Sequence, residues 1–528
     1  MNVRDAFYDV LRAHGITTIF GNPGSNELPL LSDFPGDFRY IHALQEGAAI
    51  GMADGYAQAT GQPVLVNVHA AAGTGNAMGN LTNAQSAHVP LIVTSGQQAR
   101  PYAALGAMLT NVDAPALARP LVKWSNEPLR PQDVPYTLSK GILLATAAPA
   151  GPVYLSLPLD DWDIDADASV LEQLKTRTVH GDPVVSEGSL ALLRSRLASV
   201  SNPVLILGPG TDDTAGWDGA TRLAEQLALP VHVAPSPSRC PFPTRHPNYR
   251  GILPADIPGV AARLAGHDLI VVFGAAIFRY HEFAEGDYLP AGAELWAVTS
   301  DPDEAARAPV GRALIGDPSD ALARLADTMP ATGRAALTAL AQPEPLDEAG
   351  PAFSAEAIIG ALDAARDENT IIAHEWTSVD TTWDRFDLSR PGSLFFPDAG
   401  ALGWGLPAAI GLQLGNPSRR MLAILGDGAL HYTVSALWTA ARYRIPVVIV
   451  VARNREYAAL KKFAQFMHFG GVPGLELPDI DITGIATAYG IPATQVTTLA
   501  QLTTAVKDAL AGDGPRLIEV PQQRLDST

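Results

Sequence analysis

The chain has 528 residues, of which 47% are hydrophobic and 17% charged, with a formal net charge of −19. That length points to about three domains, the composition excludes a disordered chain, and the negative charge excludes nucleic acid as a partner because phosphate would be repelled. No stretch reaches membrane-spanning length without charge or breakers, which excludes a membrane partner, and one cysteine, Cys240, leaves neither a disulfide nor a thiolate metal cluster and fits a cytoplasmic setting.

The amino end carries Asp5, Asp9 and Arg12 among apolar residues at helical spacing, so it lacks the apolar core of a signal peptide. Beyond it a unit recurs: a short apolar run, a Gly- or Ser-containing turn, then an Ala-rich helical segment, the pattern of parallel α/β units. Strands are predicted at Val64–Val68, Leu91–Ser95, Val204–Leu207, Leu269–Phe273, Leu422–Leu425 and Val447–Val451. Their runs are almost continuously apolar, as strands covered on both faces require. Two stretches break the pattern and read as linkers, Thr176–Gly188 and Ala341–Phe353. In the second, Gln342-Pro343-Glu344-Pro345 and Gly350-Pro351 cannot continue a helix. The expected organisation is α/β, with three doubly wound domains of mainly parallel sheet at 1–180, 181–341 and 342–528. Cys240, inside Arg239-Cys240-Pro241-Phe242-Pro243, reads as a structural residue.

In the last third, Gly426-Asp427-Gly428-Ala429 follows the run Met421–Leu425, and Asn454 follows Pro446–Val451. Parallel strands open their carboxyl ends on one crevice. A hard divalent cation there would take oxygen from the Asp427 carboxylate, the Asn454 amide and a nearby main-chain carbonyl, while the glycines admit a diphosphate close to the backbone. Gly-Asp-Gly by itself is a common tight turn; the paired Asn gives it chemical meaning. In the first third, Gln45-Glu46-Gly47-Ala48-Ala49 opens a helical run of small residues.

Gly-Asp-Gly with its distant Asn, together with the Glu46 segment, resembles the thiamine-diphosphate superfamily of 2-oxo acid decarboxylases and acetolactate synthases. Longer stretches, Gly21–Pro29, His69–Gly79, Leu109–Asp113, Cys240–Pro247 and Phe278–His281, resemble its benzoylformate decarboxylase family, and the likeness runs over essentially the whole chain. The resemblance implies a thiamine-diphosphate-binding fold and non-oxidative decarboxylation of an aromatic 2-oxo acid. Its cofactors would be thiamine diphosphate and Mg2+, with Ca2+ able to substitute. By position, Glu46 would activate the cofactor through its pyrimidine, Ser25 would hold the substrate carboxylate, and His69 and His281 would move protons, a task imidazole suits near neutral pH.

The same resemblance places Thr377, Ser378, Gly400, Leu402, Asp427, Gly428, Ala429, Asn454 and Tyr457 against the cofactor, and Asp427, Asn454 and the main-chain carbonyl of Glu456 on the metal. Leu109, Phe396, Leu460 and Phe463 would enclose an aryl group. It further implies a homodimer with shared active sites, paired into a homotetramer, acting on a small-molecule 2-oxo acid. One departure bears on the metal: the usual Asn-Asn-Gly-Thr/Ser-Tyr-Gly is here Arg453-Asn454-Arg455-Glu456-Tyr457-Ala458. A carboxylate aimed at the diphosphate would be repelled, so the Glu456 side chain is expected to turn away. A carboligase of the acetolactate synthase or benzaldehyde lyase type remains an alternative, as does a non-catalytic nucleotide-binding protein. The latter lacks a Gly-x-Gly-x-x-Gly fingerprint in the middle portion.

Overall fold

Apolar β-branched runs separated by helices assemble into three parallel sheets of six strands each. The computed structural model describes residues 1–179, 181, 183–276, 280–281, 283–341, 346–379 and 383–525. The first sheet holds β1 (Thr18–Gly21), β2 (Arg39–His42), β3 (Val64–Val68), β4 (Leu91–Gln97), β5 (Trp124–Asn126) and β6 (Val153–Pro158), in the order β2-β1-β3-β4-β6-β5. The second holds β7 (Pro203–Leu207), β8 (Val231–Val233), β9 (Tyr249–Ile252), β10 (Leu269–Phe273), β11 (Glu294–Thr299) and β12 (Arg312–Ile315), in the order β12-β11-β10-β7-β8-β9. The third holds β13 (Thr370–Glu375), β14 (Leu394–Phe395), β15 (Arg420–Gly426), β16 (Val447–Arg453), β17 (Ala493–Gln495) and β18 (Arg516–Pro521), in the order β14-β13-β15-β16-β18-β17. Numbered from its own first strand, the third sheet repeats the order of the first.

All six expected strands are present, several longer by one or two residues at an end. The first expected linker is shorter than Thr176–Gly188. A helix begins at Glu187 because the Ser186 hydroxyl accepts the Ser189 N–H at 3.2 Å and caps it. Of the second, residues 342–345 lie outside the described residues, as do Phe278 and Arg279 of the motif ending at His281. From 346 the chain carries no helix or strand until Ser354 caps the helix Ala355–Ala365. Cys240 is fully buried and its thiol is pushed up by burial, in keeping with a structural role. Among the described residues no helix is long and apolar enough to cross a membrane.

Alternation along the third sheet gives it two apolar faces. Ile372, Ile424 and Val450 join a core shared with Leu205 and Phe273 of the second sheet. Ala373, Leu425 and Ile449 join one shared with Val66 and Val93 of the first. On the latter side, helix Glu46–Thr60 lies across helix Gly405–Gly415 with backbone against backbone. A Cβ at Gly411 would sit 1.9 Å from the Met52 carbonyl oxygen, and one at Gly55 would sit 2.2 Å from that of Ala408. Within this dry contact the Trp404 indole donates to Asp54 at 2.9 Å, Gln58 donates to the same carboxylate at 2.6 Å, and burial pushes the Asp54 carboxyl up to about 7.

The crossing generates a stability prediction. Gly411→Ala is expected to force the helices apart and cost about 1–3 kcal/mol, as overpacking does. Gly360→Ala, inside helix Ala355–Ala365 where an added Cβ meets nothing within 4 Å, is expected to be neutral or stabilising by up to about 1 kcal/mol. Thermal midpoints of the two variants, read side by side, check the contrast.

Candidate active site

Most of the expected functional residues collect at the carboxyl edges of the first and third sheets, where a parallel sheet presents its loops, while His281 follows β10 of the second. Ser25 follows β1, Glu46 follows β2 and His69 follows β3, while Thr377 follows β13, Asp427 follows β15 and Asn454 follows β16. Glu46 is the first residue of its helix, and the Gln45 side chain caps that helix by accepting the Ala48 N–H at 2.8 Å. The Glu46 carboxylate is buried, yet both oxygens are satisfied: Asn22 donates to one at 3.0 Å and Asn76 to the other at 3.0 Å. Gly73 lies alongside, where a Cβ would come 3.1 Å from the same carboxylate. Asn22 and Asn76 lie inside the stretches that carried the resemblance, but nothing in the sequence alone assigns them this task.

His69 ends the turn between β3 and helix Ala70–Ser86. Its Nδ1 is 2.7 Å from a carboxylate oxygen of Glu27, whose side chain is fully buried. Glu27 also accepts the N–H groups of Gly96 at 2.7 Å, Gly24 at 2.9 Å and Ala70 at 3.3 Å. A hydrogen bond to carboxylate at Nδ1 places the proton there and leaves Nε2 as the nitrogen free for chemistry. The ring is wedged against the chain, because a Cβ at Gly24 would lie 2.0 Å from His69 Nδ1. Ala70, next in sequence, holds φ at 42°, the left-handed region that costs a non-glycine residue about 1–2 kcal/mol. Ser25 is exposed, and its hydroxyl makes a 3.4 Å contact to Asn26.

The segment with Gly400 and Leu402 is pinned from three directions. Asn83 accepts the Ala399 and Ala401 N–H groups at 3.2 Å each and donates to the Ala401 carbonyl at 2.8 Å; Asn80 donates to the Gly403 carbonyl at 2.9 Å. Glu375, buried at the end of β13, accepts the N–H groups of Gly403 at 2.6 Å, Trp404 at 3.2 Å and Gly405 at 3.1 Å. Burial pushes the Glu375 carboxyl up to about 7 against three donors that favour its charged form. Gly400 itself has a φ of 69°.

Asp427 opens the helix Asp427–Tyr432 and is 4% exposed, and burial raises its carboxyl above the ordinary range. One of its oxygens accepts the Gly428 N–H at 2.9 Å and the other the Arg455 N–H at 2.7 Å, leaving lone pairs on both. Asn454 accepts the Glu456 N–H at 3.2 Å. A Cβ at Gly428 would strike the Tyr457 ring at 2.6 Å, so only glycine leaves this cradle open. Ala429 is buried beside it. Carboxylate, amide and carbonyl oxygens form a hard donor set that suits Mg2+. Among the described residues no group of three or more His, Cys, Asp or Glu could hold a metal, so a cation here would need further oxygens from outside these side chains. Thr377 and Ser378 form a half-buried turn, and Lys462 donates to the Ser378 carbonyl at 2.6 Å.

The Glu456 side chain does not project as a free carboxylate. It is bonded to Lys461 at 2.5 Å, to Arg524 at 3.2 Å and to the Leu525 N–H at 2.7 Å. Arg453 pairs instead with Glu519 at 2.7 Å. Arg455 is exposed with a φ of 60°, standing where the family pattern has glycine.

Of the expected apolar wall, Phe463 meets His281 edge to face at 4.5 Å between ring centres, and Phe396 lies 4.7 Å from the buried ring of His374. Leu109 and Leu460 are 39% and 51% exposed. Among the described residues no hydrogen bond joins Glu46 or His69 to Asp427, Asn454 or His281. Two cavities of about 300 and 380 Å3 lie elsewhere, around His88 and Asp301, and none of the expected residues lines them.

Residues 1–117 match the N-terminal TPP binding domain of thiamine pyrophosphate enzymes, residues 190–325 their central domain and residues 378–520 their C-terminal TPP binding domain. The chain is 51% identical over 525 residues to benzoylformate decarboxylase of Pseudomonas aeruginosa, covering 99% of each. The chain belongs to the thiamine pyrophosphate enzyme family, with the benzoylformate decarboxylases. Two solved members share its fold throughout. A thiamine diphosphate-dependent 4-hydroxybenzoylformate decarboxylase of Rhodococcus jostii matches with a TM-score of 0.98 at 46% identity, covering 100% of both chains. A benzoylformate decarboxylase of Polynucleobacter necessarius matches with a TM-score of 0.96 at 36% identity, also covering 100% of both.

Arg455 offers a test of this loop that needs no assay of turnover. Relief of its left-handed backbone by Arg455→Gly is expected to raise stability by up to about 1 kcal/mol, whereas Arg455→Val, β-branched and poorly suited to positive φ, is expected to lower it by about 1–2 kcal/mol. Thermal midpoints in the order Gly, Arg, Val check the backbone assignment.

Proposed function

We propose that the protein is a thiamine-diphosphate-dependent carboxy-lyase that converts an aromatic 2-oxo acid, benzoylformate, to benzaldehyde and carbon dioxide. The observation that carries the reading is the His69–Glu27 pair, an imidazole held in one tautomer beside the Glu46 segment, in a chain alike over its whole length to benzoylformate decarboxylases. Bound thiamine diphosphate supplies the carbon nucleophile and the electron sink that loss of carbon dioxide requires. Glu46, its carboxylate fixed by Asn22 and Asn76, would bind the cofactor's pyrimidine and exchange a proton with it. The Ser25 hydroxyl donates to the substrate carboxylate. His69 exchanges a proton at Nε2 and His281 at its exposed ring. Leu109, Phe396, Leu460 and Phe463 enclose the aryl ring and exclude water. Asp427, Asn454 and the Glu456 carbonyl would hold Mg2+, and Gly400, Leu402, Thr377, Ser378 and Tyr457 would line the cofactor site.

The same reading makes the working unit a homodimer with shared sites, within a homotetramer. Support comes from the apolar side chains that a single chain leaves in water near both halves of the site. Leu105, Met108 and Val112 are 78%, 85% and 82% exposed beside Leu109, and Phe469 is 64% exposed beyond Leu460. Domain boundaries at 180/181 and 341/342, a cytoplasmic setting and a place in mandelate breakdown complete the reading.

Three experiments test it. Incubation with benzoylformate alone is expected to yield benzaldehyde and carbon dioxide; products of carbon–carbon ligation as the main outcome would assign a carboligase instead. Gly24→Ala is expected to push the His69 ring off Glu27 and lower kcat/KM by about 10²–10⁴, the usual worth of a positioned proton-transfer group, with circular dichroism unchanged. Finally, Glu46→Ala and Asp427→Ala should each be inactive, the second through loss of cofactor. Mixed under subunit exchange, they should regain about a quarter of wild-type activity, since half the dimers are mixed and each has one intact site of two. No recovery, with exchange established by mass spectrometry, would place both residues of a site in one chain.

A further inference from the structure

The carboxyl end of the chain runs along the loop that carries the expected metal ligands. Gln522 donates its N–H to the Arg453 carbonyl at 3.0 Å and accepts the Trp376 indole N–H at 2.9 Å. Beyond it, the Arg524 guanidinium reaches one oxygen of Glu456 through two nitrogens at 3.2 Å, and the Leu525 N–H reaches the other at 2.7 Å. Lys461 donates at 2.5 Å to the same oxygen as Arg524. Glu476 bonds Lys461 at 2.6 Å and also pairs with Arg524, so two carboxylates and two cations close a neutral quartet. The backbone is tied in as well: Tyr457 N–H donates to the Leu475 carbonyl at 2.9 Å, and Leu477 N–H to that of Arg455 at 2.8 Å.

Glu456 is the departure that gives this arrangement a purpose. Its side chain is fully buried, and a buried carboxylate short of partners turns toward the nearest positive charge. A metal ion held by Asp427 and Asn454 would be that charge, and the carboxylate would then compete with the diphosphate.

We propose that Arg524 and Leu525 form a strap which, with Lys461, holds the Glu456 carboxylate away from the cation site and so keeps the cofactor bound. Glu456, Lys461 and Arg524 are positioning residues in this scheme, and none touches substrate. Lys461 also lies on helix Ala458–Phe466, which carries Leu460 and Phe463, so the quartet joins the cofactor loop to the aryl wall. The inference rests on the cofactor reading above.

The test measures release of thiamine diphosphate. Wild-type holoenzyme, a chain ending at Gln523, Glu456→Gln, and the truncation combined with Glu456→Gln are loaded with Mg2+ and thiamine diphosphate. Each is diluted into chelator, and retained cofactor is followed as thiochrome fluorescence. Truncation is expected to speed release about 10–100-fold in the wild-type background, the usual effect of losing a group that orients a metal ligand. In the Glu456→Gln background, where no charge needs restraint, it is expected to change release by less than about threefold. Equal acceleration in both backgrounds would mean a general loosening of the fold and overturn the proposal, as would no acceleration in either. A wild-type protein that takes up no thiamine diphosphate would overturn the cofactor reading and this inference with it.

Discussion

Close approach of two helix backbones governs where both halves of the site stand. Helix Glu46–Thr60 begins with the buried acid of the first sheet, and helix Gly405–Gly415 begins just after the Gly400–Gly403 segment of the third. With glycine at 51, 55, 411 and 415, the two axes come near enough for backbone atoms to touch. Side chains of ordinary size would separate them by several ångströms and carry Glu46 away from that segment. Trp404 and Asp54 fix the direction of the contact, since an indole N–H and a buried carboxylate must meet at hydrogen-bond distance or leave two unsatisfied groups in a dry seam.

The loops above this seam are held chiefly by buried carboxylates that gather backbone N–H groups. Glu27 takes three, Glu375 three and Asp427 two. A charged acceptor makes stronger bonds than a neutral one, and in a low-dielectric interior it is costly to leave any of them unmade. Irregular backbone can therefore be held as firmly as a strand without becoming one. Catalytic groups need this, because their positions must be accurate while their conformations are unlike those of regular structure.

Most of the fold was legible in the sequence, for a simple reason. Strands covered on both faces must be continuously apolar, and Val64–Val68 and Leu269–Phe273 fall where that rule places them. The end of the first linker was misplaced because Ser186 works as a cap only once the backbone geometry exists, and a serine in a polar run carries no such signal alone. At the sheet edges, the strand-end positions of Asp427 and Asn454 were legible because each follows a continuous apolar run. Glu27, Glu375, Asn22 and Asn76 were not. Each acts by reaching a group distant in sequence, as Glu375 reaches Gly403 or Asn76 reaches Glu46, and no local pattern encodes the partner. The turning of Glu456 follows from charge repulsion alone, but its partners Arg524 and Leu525 lie 68 and 69 residues away in sequence, where no local pattern points to them.

The first and third sheets share one strand order, so their carboxyl edges are equivalent surfaces of one architecture used twice. Equivalent surfaces need not keep equivalent chemistry. One edge presents an acid, two carboxamides and an imidazole; the other presents hard oxygen donors and glycines. One strand order thus carries two sets of polar groups that differ in kind. Among the described residues the two edges differ at their matching positions, so a substitution at one edge alters a chemistry that its twin does not present.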